Sequence, residues 1–165
     1  MAAYPLVLIT DTNIWIDLDY GGLLEFVFQL PYQICAADFA KVEMRDINTA
    51  LLERRGLHFQ GLDGKLVNEL YRLRQQKNTI AVADMAAFLL AREQRAILVT
   101  GDRTLTKFAS LEGIRVHGVL WLMDEMVRCE ILPQLQAAVS LDLMIRHGAR
   151  LPEEECTRRR RHWSV

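Results

Sequence analysis

Two short runs, LVLIT at 6–10 and AILVT at 96–100, stay apolar without alternation up to a closing threonine. A strand with one face in water alternates polar and apolar residues, whereas an unalternating run is buried on both faces. Such strands belong in a sheet covered by helices on each side, with mostly parallel strands joined by helical crossovers. QICAA at 33–37 and GIRVHG at 113–118 read as further strands, and LHFQGL at 57–62 as a loop or weak strand.

Helical patterns fill the gaps. GGLLEFVFQL at 21–30 reads as a helix closed by Pro31, and a long helical stretch runs from 38 to about 55, closed by Gly56. Further helices are expected over 63–76, over 80–94 with Asn78 or Thr79 as cap, and over 103–112, 119–129 and 133–147. The expected fold is an α/β sandwich around a mostly parallel central sheet. At 165 residues the chain suits one domain, residues 1–147, followed from 148 to 165 by a charged tail.

Each apolar strand runs into an acid. Asp11 follows LVLIT, and Asp102 follows AILVT after one glycine. Ligands of open α/β sheets bind outside the carboxyl ends of the strands, which is where both acids fall if the strands are parallel. The alternative for each is simply to cap the next helix.

Asp84 is the stronger anomaly, because it is the sole polar residue of IAVADMAAFLLA. A helix apolar all round is a central one, and an ionised carboxylate there needs a partner, hydrogen bonds or a cation. A buried ion pair with an arginine is the alternative.

A fourth acid comes from the stretch after QICAA, which offers Asp38, Glu43, Asp46 and Glu53. Asp38 reads as an N-cap and Glu53 as solvated. Glu43, in FAKVEM, could lean towards the sheet edge, but position does not separate it from Asp46. Clustered carboxylates raise one another's pKa unless a cation sits among them. Hard divalent ions take oxygen ligands and bind phosphate, so acids without a Ser/His or Cys/His arrangement suit metal-assisted phosphodiester hydrolysis.

The net charge of −1 argues against a protein that coats nucleic acid by charge alone, though a local basic patch is compatible with it. Cys35, Cys129 and Cys156 are widely spaced and odd in number, which points to a reducing compartment. The four scattered histidines suggest no zinc site. The apolar run at 5–9 has no basic leader, and no apolar run reaches the roughly 18 residues of a membrane span. A cytoplasmic protein is expected.

Taken in order, ITDTNIW with Asp11 and Asn13, KVEM with Glu43, VADMAAFLLA with Asp84 and LVTGDRTL with Asp102 resemble a PIN domain. The resemblance spans about residues 6–120, and GIRVHGVLWLMDEM is similar to a bacterial branch of that family. It implies a PIN-like three-layer α/β/α sandwich with a mostly parallel central sheet. It also implies a metal-dependent endoribonuclease acting on single-stranded RNA, with Mg²⁺ or Mn²⁺ held by Asp11, Glu43, Asp84 and Asp102. It favours Glu43 over Asp46. Small bacterial members similar to the VapC toxins imply a type II toxin with an antitoxin partner and a homodimer. Asn13 and Thr100 would orient the ligands, with turn-forming or capping roles as the alternative.

Two departures stand out. Many relatives carry a serine three residues before the third acid, where this chain has Ala81. Many carry another acid shortly after the fourth, where this chain reads Arg103, Thr104 and Leu105, which bears on a second metal. A PIN-like module that binds RNA or protein without cutting is therefore the rival. An aspartate-nucleophile phosphatase would want a second acid two residues after the first, and Asn13 stands there.

The tail, LPEEECTRRRRHWSV, reads as a helix begun by Pro152, acidic in its first turn, with arginines 158–161 in its last. Glu154–Arg158 and Glu155–Arg159 are expected as i,i+4 pairs, and the plain reading is a solvated, self-paired helix or a disordered end. The sharper alternative is an arginine patch touching RNA phosphates or a partner.

Overall fold

LVLIT becomes the centre of the sheet because each of its faces meets a different core. In a computed structural model, which describes residues 6–164, it forms β1 (Leu6–Thr10), flanked by β2 (Tyr32–Ala37) and β4 (Ile97–Val99). β3 (His58–Gln60) pairs with β2 and β5 (Val116–His117) with β4. All five strands are parallel in the order β3-β2-β1-β4-β5. Pro5, at the head of the N-terminal apolar run, and Val165, at the end of the tail, lie outside the described residues.

Successive side chains of a strand point to opposite faces, and here they sort into two cores. Leu8, Ile34, Ala36, Ile97 and Val99 face one side, whereas Ile9, Cys35, Ala37 and Leu98 face the other. The first core is closed by α1 (Thr12–Tyr20), α7 (Val119–Arg128) and α8 (Gln134–Arg146), the second by α4 (Gly64–Gln76), α5 (Val82–Gln94) and α6 (Arg103–Leu111). The architecture is a three-layer α/β/α sandwich. α5 carries eight buried residues and packs directly on β1, as a helix apolar all round must.

Several local expectations are corrected. The first helix lies at Thr12–Tyr20, not at 21–30, where the chain makes turns and a short 3-10 stretch, Val27–Gln29. Gly21 and Gly22 stop a helix here instead of starting one. Gly22 takes φ +70°, the Leu23 N–H reaches back to the Leu18 carbonyl at 2.8 Å, and a Cβ on Gly21 would meet Met144 at 2.7 Å.

The stretch over 38–55 is two helices, α2 (Asp38–Lys41) and α3 (Thr49–Arg55). Asn48 opens the second by accepting the Leu51 N–H at 3.1 Å, and Gly56 at φ +128° closes it. Asp38 is the first helical residue and Ala37 the cap. Likewise the cap residue of α5 is Ala81, which offers no side-chain hydrogen bond, and not Asn78 or Thr79.

The tail is helical from Glu153 to Trp163, here α9. It is docked on one side and not solvated all round: Cys156 and Trp163 join the first core. Arg159 grips Asp124 of α7 at 2.9 and 2.7 Å, and Arg160 grips Asp142 of α8 at 2.8 Å. Of the two expected pairs within the helix, Glu155–Arg159 closes, at 3.6 Å. No described helix is long and apolar enough to cross a membrane.

Candidate active site

Crossovers from β1 run towards β2 and β3 on one side, while β4 and β5 lie on the other. The reversal falls between β1 and β4, the switch point where open α/β sheets leave a crevice at their carboxyl ends. Asp11 leaves β1 and Asp102 follows β4 at that point.

The closing threonines tie this edge together. The Thr10 hydroxyl donates to the Cys35 carbonyl at 3.1 Å and accepts the Trp15 indole N–H at 2.9 Å, which pins α1 to β2. The buried Thr100 hydroxyl donates to the Asp11 carboxylate, and its oxygen accepts the Asp102 backbone N–H at 3.0 Å. One side chain thus holds both acids in register. Asn13, the other orienting candidate, is exposed in the first turn of α1.

Capping and site-forming turn out to be compatible. Asp11 accepts the Ile14 N–H at 3.1 Å and Asp102 the Leu105 N–H at 2.7 Å, so each caps a helix with one oxygen. A carboxylate has about four acceptor positions, and a cap uses one of them.

Asp84 projects from the first turn of α5 and is half-buried. Burial, then the charges of Asp11, Asp102 and Glu43, push its pKa up to about 7. Asp11 rises to about 6, because burial outweighs the hydrogen bonds from Thr100 and Ile14, with Asp102 and Asp17 adding repulsion. Glu43, which is exposed, accepts the Thr12 hydroxyl at 3.0 Å and is held on this side. Glu53 instead pairs with Lys41 at 3.4 Å on the surface.

The four acids singled out in the sequence therefore face one another electrostatically. Among the described residues none of them forms an ion pair, and they do not close into a tight ligand group. An all-oxygen set whose mutual repulsion is unrelieved fits a hard divalent cation.

Two contributors escape a sequence reading. Thr12 positions Glu43 across 31 residues of chain. Asp17, raised to about 6 by burial, acts on Asp11 from within α1. The signal for Asp17 is its i,i+4 spacing from Asn13 on one helix face, which is visible once α1 is placed at Thr12–Tyr20.

These shifts set a pH dependence. Asp11, Asp17 and Asp84 have folded-state pKa values above the unfolded value of 3.8. Between about pH 4 and about pH 7 the folded state binds more protons than the unfolded one, so these groups cost stability as pH rises through that window. In EDTA the urea midpoint is expected to fall from about pH 5 to about pH 7.5, and to fall less in Asp84→Asn. An identical pH slope in the mutant would show that Asp84 titrates normally.

Comparison with known proteins adds the following. A family model for PIN domains, DUF3368, matches residues 7–164. Among solved structures, a PilT N-terminus domain protein from the hyperthermophilic archaeon Sulfolobus solfataricus P2 superposes with a TM-score of 0.53. The match covers 73% of this chain and 93% of that one at 12% identity, a likeness of fold. No curated protein matches the sequence significantly.

Proposed function

Because this chain belongs to the PIN domain family, whose members are typically nucleases, we propose that it is a metal-dependent endoribonuclease hydrolysing single-stranded RNA. The observation that carries the reading is the meeting of Asp11, Glu43, Asp84 and Asp102, without ion pairs among the described residues, at the switch point of the sheet. These four would hold Mg²⁺ or Mn²⁺. Such a cation supplies charge stabilisation for the phosphate and lowers the pKa of a water at neutral pH.

The chain's own contribution is orientation. Thr100 and the Ile14 N–H hold Asp11, the Leu105 N–H holds Asp102, and Thr12 holds Glu43, so the carboxylates are aimed before substrate arrives. Asp84 would be the ligand carried by the buried helix α5.

The test is direct. Purified protein is expected to cut single-stranded RNA with Mg²⁺ or Mn²⁺ present and to stop in EDTA. Tight binding with no cleavage of any tested sequence would favour the second reading, a non-catalytic PIN-like module binding RNA or protein. The run Arg103, Thr104, Leu105, which puts no further acid after Asp102, is the observation on that side.

A cytoplasmic toxin role in a type II pair, as a homodimer neutralised by an antitoxin, completes the proposal. It rests on the resemblance of the motifs and on three free cysteines. Expression without the partner would arrest growth, and folded Asp102→Asn would not.

A further inference from the structure

Beside Thr100 and Asp102 opens a cleft of about 1370 Å³, walled by α1, the start of α6, the start of α7 and the segment 147–152. Pockets for small molecules hold about 300–1000 Å³, so this one has room for several units of a polymer. It begins at the proposed metal site and leads away from it along α1.

Two stacked ring pairs line it. Tyr20 lies against His147 with centroids 4.9 Å apart and planes 14° apart, and His117 lies on Trp121 at 4.3 Å and 9°. Tyr20 is 39% exposed, and Trp121 is backed in turn by Tyr32 at 5.8 Å. Burial, then the Arg115 charge, holds His117 below its usual pKa, against the opposing charge of Glu125.

Exposed Arg103 and Lys107 stand one turn apart on α6 at the cleft's edge. Asp17 and Glu155 also line the cleft, as do the further cations Arg150 and Arg159. In a chain of net charge −1, cations and open aromatic faces meet beside the carboxylates.

We propose that this cleft seats unpaired bases of an RNA strand on one side of the scissile phosphate. Bases stack on the Tyr20–His147 and His117–Trp121 pairs, while Arg103 and Lys107 meet the phosphates. The identity of the ligand rests on the ribonuclease reading above. Stacking of this kind accepts any base, because every base has a π-face, and it needs a strand whose bases are not already paired and stacked.

The test is fluorescence anisotropy of a labelled single-stranded heptanucleotide RNA against the full chain in EDTA, where nothing is cut. Tyr20→Ala and His117→Ala are each expected to weaken binding by roughly 5- to 150-fold. His117→Leu, which keeps Trp121 covered but offers no aromatic face, is expected to match His117→Ala, and thermal melts check that each variant folds. Arg103→Gln and Lys107→Gln are each expected to reduce the slope of log K against log salt by about 0.7.

Unchanged affinity in folded ring variants, or a duplex RNA competing as well as the single strand, overturns the proposal and leaves the cleft to a protein segment. Absence of any RNA binding overturns it as well. Because the assay needs no metal, the two readings fail separately. Metal-dependent cutting with ring variants that bind normally spares the nuclease and sinks the cleft. Ring-dependent binding without cutting does the reverse.

Discussion

Asp84→Asn is expected to reduce metal-dependent cleavage by roughly a hundredfold or more, beyond the 10- to 100-fold typical of losing an orienting partner. In EDTA the same variant is expected to be as stable as the wild type or more so. The two outcomes follow from one fact. Asp84 is half-buried on a helix that is otherwise core, its pKa is pushed up to about 7, and it forms no ion pair among the described residues. Asparagine keeps the shape and removes the charge, so the repulsion from Asp11, Asp102 and Glu43 disappears.

Were Asp84 half of a buried ion pair, the same change would strand its partner at a cost of about 3–5 kcal/mol. Urea melts in EDTA, a calorimetric Mn²⁺ titration and a cleavage assay read the two effects independently. A clear loss of metal-free stability, or cleavage at the wild-type rate, removes Asp84 from the proposed ligand set.

What could be read in the sequence was whatever rests on local pattern. LVLIT and AILVT announce a two-sided sheet because burial on both faces leaves no alternation, and the acids behind them fall at its carboxyl edge. Asp84 is visible because a single charge interrupts an apolar helix.

The choice between Glu43 and Asp46 is different. It presumes a continuous helix, but the helix stops at Lys41 and the next begins at Thr49, so no helix face exists there to compare. Glu43 is turned to the site by the Thr12 hydroxyl, a contact that no spacing rule encodes. A first helix at 21–30 leaves out the stripe of Asn13, Ile16, Asp17 and Tyr20 along α1, and with it one wall of the cleft. Gly-Gly suits a helix stop as well as a loop before a start, and the packing of Gly21 against Met144 decides between them.

Trp163→Ala is expected to cost about 3–5 kcal/mol, a large share of the stability of a domain this size. On charge pattern the tail looks detachable, and a self-paired surface helix would lose almost nothing by such a change. Yet an 11-residue helix is marginal in water by itself. What holds α9 is its docked face: Trp163, 2% exposed, and Cys156 pack in the core that α1, α7 and α8 share, and Arg159 and Arg160 clamp acids of α7 and α8. Removing the indole leaves a cavity between elements that also form a wall of the cleft, so RNA binding is expected to weaken along with stability. Arg158→Ala, on the exposed side, serves as the control and is expected to stay within about 0.5 kcal/mol of the wild type. Urea melts of the two variants separate the cases. A Trp163→Ala protein as stable as Arg158→Ala would mean that the buried indole adds nothing to the fold. A loss confined to Trp163→Ala makes the tail part of the domain.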